Sequence, residues 1–337
     1  MSKKVILTGL SPTAENLHIG NLIGAIHPLV EMQNDKNNEL YLFVSDLHAL
    51  TNPNLKLNIA NSKKNLIATY IASGIDPSKT ILFYQSDVHT HAELGWVMIC
   101  NSYFGELMRM TQFKDKSVRM KQGNGTEMVP VGLFTYPSLM AADILLYDAD
   151  VIPVGKDQKQ HVELARNLAE RFNKKFGNTF RIPTHYSPKS AENILDLTDV
   201  NHKMSKSLPP KGTILLSDSQ EDIEKKIKGA LTDSFNKVKY DTINQPAISN
   251  LITIYSILGN ISVASIEKKF ANAKNYAEFK NALTMVVQKF IKDFQVKYNL
   301  AIKNINKYLK IVDDNAKKCL KKTEPKLLDV YHKIGIK

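Results

Sequence analysis

With 337 residues, 43% hydrophobic and 23% charged, the chain can bury one large core and a smaller one. No stretch approaches the roughly 18 consecutive apolar residues that a membrane helix needs. The apolar run at 5–7 is too short for a signal peptide, and Cys100 and Cys319 stand alone, which argues for a reducing cytoplasm with neither a disulfide framework nor zinc.

The net charge of +12 is gathered at the far end, where residues 261–337 hold 17 lysines against 7 acids. A one-sided basic segment suits a polyanionic partner, RNA or DNA ahead of a membrane surface. Taken in chain order, residues 5–7, 40–44, 80–84 and 151–154 predict buried strands, being short, rich in branched or aromatic side chains and bounded by turn residues. Helical stretches lie between them. Leu66, Ile67, Tyr70 and Ile71 recur at three-to-four spacing before Gly74 and Pro77, and Val162, Ala165, Ala169 and Phe172 do so before Gly177. This alternation predicts an α/β class, a Rossmann-type doubly wound parallel sheet over residues 1–200 with ligands beyond the carboxyl ends of its strands. Residues 114–132 lack periodicity and predict a long mobile loop; the segment that follows predicts a helix after Pro137. Residues 201–218 form a loop and connection, and an all-helical domain spans 219–337. There Phe279, Leu283, Val286, Val287, Phe290 and Phe294 make one apolar stripe, and a further helix over 313–332 is a candidate to return to the first domain.

The first strand runs into Ser11, Pro12 and Thr13, then His18-Ile19-Gly20-Asn21, where a helix begins. Strand, turn and helix amino terminus present N–H groups to an anion, and glycine lets a base or phosphate approach the main chain. His18 and Asn21 would donate hydrogen bonds to a triphosphate; alternatively, His18 is a core histidine beside a cap. About 185 residues later comes Lys203-Met204-Ser205-Lys206-Ser207. Two ammonium groups on one loop could follow the β- and γ-phosphates, each charge pair being worth roughly 4 kcal/mol at about 4 Å and an effective dielectric near 20, before desolvation. Lys116 could add a third charge. In the segment 132–147, expected to be helical after Pro137, Met140, Asp143 and Tyr147 share a face with Tyr136 at its leading end. A carboxylate on an apolar face is costly without a donor, so Asp143 suits a ligand with an N–H or O–H at the end of an aromatic ring; a capping or salt-bridged role is the alternative. Residues 154–161 close a strand and open a helix at the same edge. There Asp157 could hold ribose hydroxyls and Gln158 an ammonium, while His161 fits no zinc template.

These segments together resemble the class I aminoacyl-tRNA synthetases, and among them the bacterial tryptophanyl enzymes. The likeness covers nearly the whole chain: the HIGN and KMSKS signatures, SDLHALT at 45–51, QSDVHTHAEL at 85–94, GELMRMTQFKDK at 105–116, GLFTYPSLMAADILLY at 132–147, IPVGKDQKQH at 152–161 and LAERFN at 168–173. It implies a Rossmann-type catalytic domain, a helical anticodon-binding domain, and a cytoplasmic homodimer acting on L-tryptophan, ATP with Mg2+ and the tryptophan tRNA, without a protein-bound structural metal. Carried over residue by residue, Ser11, Pro12, Thr13, Gly20, Asn21, Gly155, Lys156, Asp157, Ile194, Lys203, Met204, Ser205, Lys206 and Ser207 would line the ATP site. His18, Asn21, Lys116, Lys203 and Lys206 would act in catalysis. Asp143 would accept the indole N–H, with Met140, Ile152 and Val154 along the ring, His48 nearby, and Tyr136 and Gln158 on the ammonium. Ser11 stands where the family usually has Gln, and Lys156 where it usually has Glu. Three rivals share parts of this pattern: a tyrosyl enzyme of the same subclass, a small nucleotidyltransferase, and a tRNA-binding paralogue that has lost activation.

Overall fold

Leu40, Tyr41, Leu42, Phe43 and Val44 follow one another without a polar interruption and are all buried. A strand covered on both faces belongs inside a parallel sheet. It lies in β2 (Asn38–Val44), flanked by β1 (Lys4–Leu10) and β3 (Thr80–Tyr84), with β4 (Val151–Pro153) and β5 (Thr184–Tyr186) beyond β1. The order is β3-β2-β1-β4-β5 and every pairing is parallel, with Leu7 opposite Tyr41, Leu42 opposite Leu82, Ile6 opposite Val151 and Ile152 opposite His185. The winding therefore reverses between β1 and β4, which opens a crevice at their carboxyl ends. β5 carries no apolar run and no buried residue, which is why alternation alone does not reveal it.

The computed structural model describes residues 3–12, 17–52, 58–120, 129–186, 194–205 and 210–337, except for the side chains of Lys116, Val118, Arg119, Met120 and Lys156. Helices α1 (Ile19–Asn21) and α2 (His27–Asn34) are joined through a π-turn over Leu22–Ile26. They are followed by α3 (Asp46–Ala49), α4 (Ile59–Ala72), α5 (Thr90–Asn101), α6 (Phe104–Met108), α7 (Thr111–Met120), α8 (Val131–Leu145) and α9 (Lys159–Phe176). Two expectations need correction. Residues 114–120 are helical and not loop: α7 turns Phe113 onto the Phe134 ring and buries Ser117, a narrow inner face that its charged side chains hide from a periodicity reading. Pro137 lies inside α8 instead of at its start. Its ring removes one N–H from the ladder, a cost the surrounding packing offsets, since Pro137, Ser138, Ala141 and Ala142 are all buried.

Beyond the sheet come α10 (Gln220–Lys228), α11 (Pro246–Gly259), α12 (Val263–Lys269), α13 (Tyr276–Lys303) and α14 (Ile305–Ile334). Phe279, Leu283, Val287 and Phe294 of α13 form an apolar cluster with Leu251 and Tyr255 of α11, and that cluster continues into Ile19, Leu22, Ile194, Met204 and Ile214. α14 is longer than the 313–332 stretch and runs straight through Pro325. It lies back along the sheet: the Asn315 amide donates to the Leu82 carbonyl of β3 at 3.1 Å, Thr90 and Thr323 share a buried hydrogen bond of 2.8 Å, and Cys319, Leu327 and Val330 join the core around β1 and α8. Among the described residues no single helix is long and apolar enough to cross a membrane.

Candidate active site

The carboxyl ends of β1 and β4 open into a cavity of about 660 Å3. Leu7 to Ser11 line it from β1, Ile152 and Val154 from β4, and Tyr136, Met140 and Asp143 from α8, with His48 and Gln158 closing it. All seven residues expected to hold the amino acid thus meet in one place, together with Ser11 from the ATP set. The walls along Leu7, Phe43, Leu133, Met140, Ile144 and Ile152 are apolar, so a flat ring fits between β4 and α8 with Asp143 at its end.

Asp143 is 1% exposed. His48 Nε2 lies 2.8 Å from Oδ2, His91 Nδ1 lies 2.6 Å from Oδ1, and the Gln85 amide donates to both oxygens at 2.8 and 3.0 Å. Burial pushes this carboxyl's pKa up, but hydrogen bonds from His48 and His91 and their positive charge outweigh it and hold the group well below the usual carboxylate range. It therefore acts as an acceptor only. Gln85 cannot turn away, because its own carbonyl accepts the Leu47 N–H at 3.2 Å. Asp46, accepting from the Ser86 N–H and hydroxyl and paired with Lys63, pins the amino end of α3, which carries His48. Gln85 and His91 had no assigned role in the sequence reading. Both lie in the QSDVHTHAEL block, and a buried polar residue following an apolar strand was the signal available.

At the mouth, Tyr136 meets His161 Nε2 through its hydroxyl at 2.9 Å and stacks on that ring. Burial, with a smaller effect from Asp157, raises the Tyr136 pKa, so the phenol stays neutral. The Gln158 amide donates to Asp157 Oδ2 at 2.7 Å, which places both expected ligand contacts on the turn that opens α9.

The residues expected to hold the nucleotide sit to one side. His18 caps α1: its Nδ1 accepts the Asn21 N–H at 3.3 Å while Asn21 Oδ1 accepts the His18 N–H at 3.2 Å, and His18 is buried. This is a capping box made by a histidine. A Cβ at Gly20 would come 3.0 Å from His18 Nδ1, a tight contact with the capping ring, and 3.5 Å from Ile194 Cβ, an ordinary one. The Ile19 N–H donates to the Ile214 carbonyl at 3.0 Å and the Leu216 N–H to the Leu17 carbonyl at 2.8 Å. The front turn and the exit of the lysine loop, far apart in sequence, are thus hydrogen-bonded neighbours. The stem of that loop is held by Met204 N–H to the Ile194 carbonyl at 2.8 Å, Asp196 N–H to the His202 carbonyl at 2.9 Å and the Thr213 hydroxyl to the Ser205 carbonyl at 3.0 Å. Lys203 is exposed, whereas Met204 is buried in the cluster shared with Ile194 and Ile214, so its side chain anchors the loop. Asp196 presses on Gly212 so closely that a Cβ there would stand 1.8 Å from Oδ1. Thr13, Lys206 and Ser207, and the side chains of Lys116 and Lys156, lie outside the described residues. Among the described residues no group of His, Cys, Asp and Glu could hold a metal ion.

A ring pocket at the switch point of a parallel sheet, with a capped glycine turn bonded to a lysine loop, is the layout of a class I aminoacyl-tRNA synthetase, and residues 2–292 match the family model of class I tRNA synthetases for W and Y. The tryptophan-tRNA ligase of Ureaplasma parvum serovar 3 is 53% identical over 87% of this chain and 88% of that protein. The solved tryptophanyl-tRNA synthetase of Mycoplasma pneumoniae superposes with a TM-score of 0.88 at 36% identity, covering 99% of this chain and 98% of that one. That of Campylobacter jejuni, solved with ADP and tryptophan, gives 0.80 at 31% identity over 98% and 99% of the two chains. The chain belongs to the tryptophan-tRNA ligase family.

Proposed function

We propose that the enzyme joins L-tryptophan to ATP, giving tryptophanyl-adenylate and pyrophosphate, and then passes the acyl group to the terminal ribose of the tryptophan tRNA. The observation that carries this reading is the ionised, buried Asp143 at the end of an apolar slot. The amino acid's own carboxylate attacks the α-phosphorus and pyrophosphate leaves, so no protein nucleophile is needed. The protein aligns the reactants and stabilises charge on the departing phosphates. Mg·ATP is the co-substrate; Ser11, Pro12, Gly20, Asn21, Gly155, Asp157, Ile194 and Lys203 to Ser205 border its site, with Lys203 supplying positive charge. Thr13, Lys116, Lys156, Lys206 and Ser207 complete that assignment from the family likeness alone.

In the ring pocket, the indole N–H binds Asp143 Oδ2 on the side where His48 now sits, since His48 is the one of its three partners that lines the cavity. Met140, Ile152 and Val154 flank the ring, and Tyr136 and Gln158 take the ammonium. A hydrogen bond to a charged acceptor is worth about 1.5–3 kcal/mol, and a site built around a donor refuses ligands lacking it by about 10⁴ or more. Phenylalanine is therefore rejected without editing. Pyrophosphate exchange measured with tryptophan and tyrosine side by side tests the assignment: exchange should depend on tryptophan, and a preference for tyrosine would sink it.

The domain division follows the same reading, with residues 1–200 catalytic, 201–218 the KMSKS loop and connection, and 219–337 recognising the tRNA. The lysine excess over 261–337 supports a salt-sensitive hold on tRNA. A homodimer is supported by the exposed apolar side chains of Leu50 and Trp96, which border one shallow hollow with Ala92, Ile99 and Leu139. The cytoplasm, where tRNA and ATP meet, is the setting proposed.

A further inference from the structure

Behind Asp143, on the side away from the cavity, a second layer of polar groups runs to the last helix. His91, on α5, is fully buried among the rings of Phe43, Phe83 and Tyr147 at centroid distances of 5.9, 6.0 and 5.5 Å. Its Nδ1 meets Asp143 Oδ1 at 2.6 Å and its Nε2 meets the Tyr147 hydroxyl at 2.9 Å. Tyr147 in turn contacts the Cys319 thiol of α14. An ionised carboxylate only accepts, so the hydrogen on Nδ1 points to Asp143. Its Nε2 faces the Tyr147 hydroxyl, and beyond the effect of burial the bond between that hydroxyl and Cys319 raises the Tyr147 pKa and lowers that of the thiol, as a phenol donating to sulfur does. The row joins Asp143 to α14 through His91 and Tyr147. Both outer groups keep their protons: burial, then Cys319, raises the Tyr147 pKa, and burial pushes the Cys319 thiol up to about 12.

We propose that His91, backed by Tyr147, is a positioning residue that fixes Asp143 as an ionised acceptor in one orientation, so that the choice of an N–H-bearing ring is set from behind the pocket. His91 does not line the cavity, so it cannot act by touching the amino acid. The proposal rests on the reading of Asp143 as the acceptor for the ring N–H.

The test is the ratio of kcat/KM in pyrophosphate exchange for tryptophan over its benzothiophene analogue, in which sulfur replaces the ring N–H. His91→Leu should lower that ratio by about tenfold or more with the KM for ATP within about twofold of normal. His91→Asn, which keeps an N–H near the position of Nδ1, should recover the ratio to within about threefold, and Tyr147→Phe should lower it by about threefold. A folded His91→Leu enzyme with an unchanged ratio overturns the proposal, as does equal loss for both amino acids or no recovery in His91→Asn. If His91→Leu does not fold, Tyr147→Phe decides, because it keeps the ring contacts: an unchanged ratio there overturns the proposal. Asp143→Ala separates the two levels. An undiminished preference in that variant removes the reading of Asp143 itself, whereas its loss there together with an intact ratio in the His91 and Tyr147 variants removes only the role of His91.

Discussion

Asp143 receives hydrogen bonds from His48, Gln85 and His91. These side chains come from α3, α5 and the turn after β3. Lys203, by contrast, stands exposed on a stem whose bonds are mainly between backbone groups, and whose buried residue, Met204, belongs to the apolar cluster of the helical half. The residues lining the ring pocket therefore all come from the sheet half, while the proposed nucleotide side lies where the front turn meets the apolar cluster of the helical half. On the proposed function, recognition is preorganised by side-chain chemistry and the charge for phosphate transfer is left adjustable.

That contrast can be broken by substitution. Asp143→Ala should cost on the order of 10³ in kcat/KM for tryptophan, because it removes the acceptor and strands buried donors on His91 and Gln85, with little change in the KM for ATP. An unchanged tryptophan value would show that recognition lies elsewhere. Lys203→Ala should lower kcat about a hundredfold while leaving the KM for tryptophan nearly constant; an effect confined to tryptophan binding would erase the distinction between the two sides. Gly212→Ala, which drives a methyl into Asp196, should cost about 1–3 kcal/mol in a denaturation midpoint and lower kcat with the displaced loop stem. Full stability and activity together would mean that the stem yields freely.

Acid sharpens the comparison further. The folded-state pKa of Asp143 is depressed, so its contribution to stability is full above about pH 4, the ordinary carboxylate value, and fades as pH falls through the folded value. Melting curves between pH 5 and 2 should therefore fall less steeply for Asp143→Asn than for the parent enzyme. Equal slopes would mean that Asp143 is not held ionised by its neighbours. The smallest effect concerns the thiols: Cys100 is exposed and should react with a maleimide at once, whereas the buried Cys319 should react only on unfolding. Rapid double labelling would place the rear of the pocket in solvent.

Much of this was legible beforehand. Four strands announce themselves because buried parallel strands are unbroken apolar runs, and Asp143 was conspicuous as a carboxylate on an apolar helix face. β5 was not, since a three-residue edge strand with no apolar run and no buried residue carries no pattern. α7 was missed because a charged helix with a narrow inner face mimics a loop, and Pro137 drew the start of α8 too late because local propensity yields to tertiary packing. Gln85 and His91 could be seen as residues but not as partners, because the contact between α5 and α8 exists only once both helices lie on the sheet. For His18 the alternative was a core histidine beside a cap; it is buried, and its own Nδ1 makes the cap.

The amide of Asn315 on the strand at the end of the sheet has one more consequence. An uncovered outermost strand offers its free backbone groups to other chains and invites aggregation. In this protein the cover is supplied by α14, which is made long after the strand it lies on. Until α14 has been made and has docked, the nascent polypeptide carries an open, sticky flank, and anything that shields such flanks during translation is needed most in that interval.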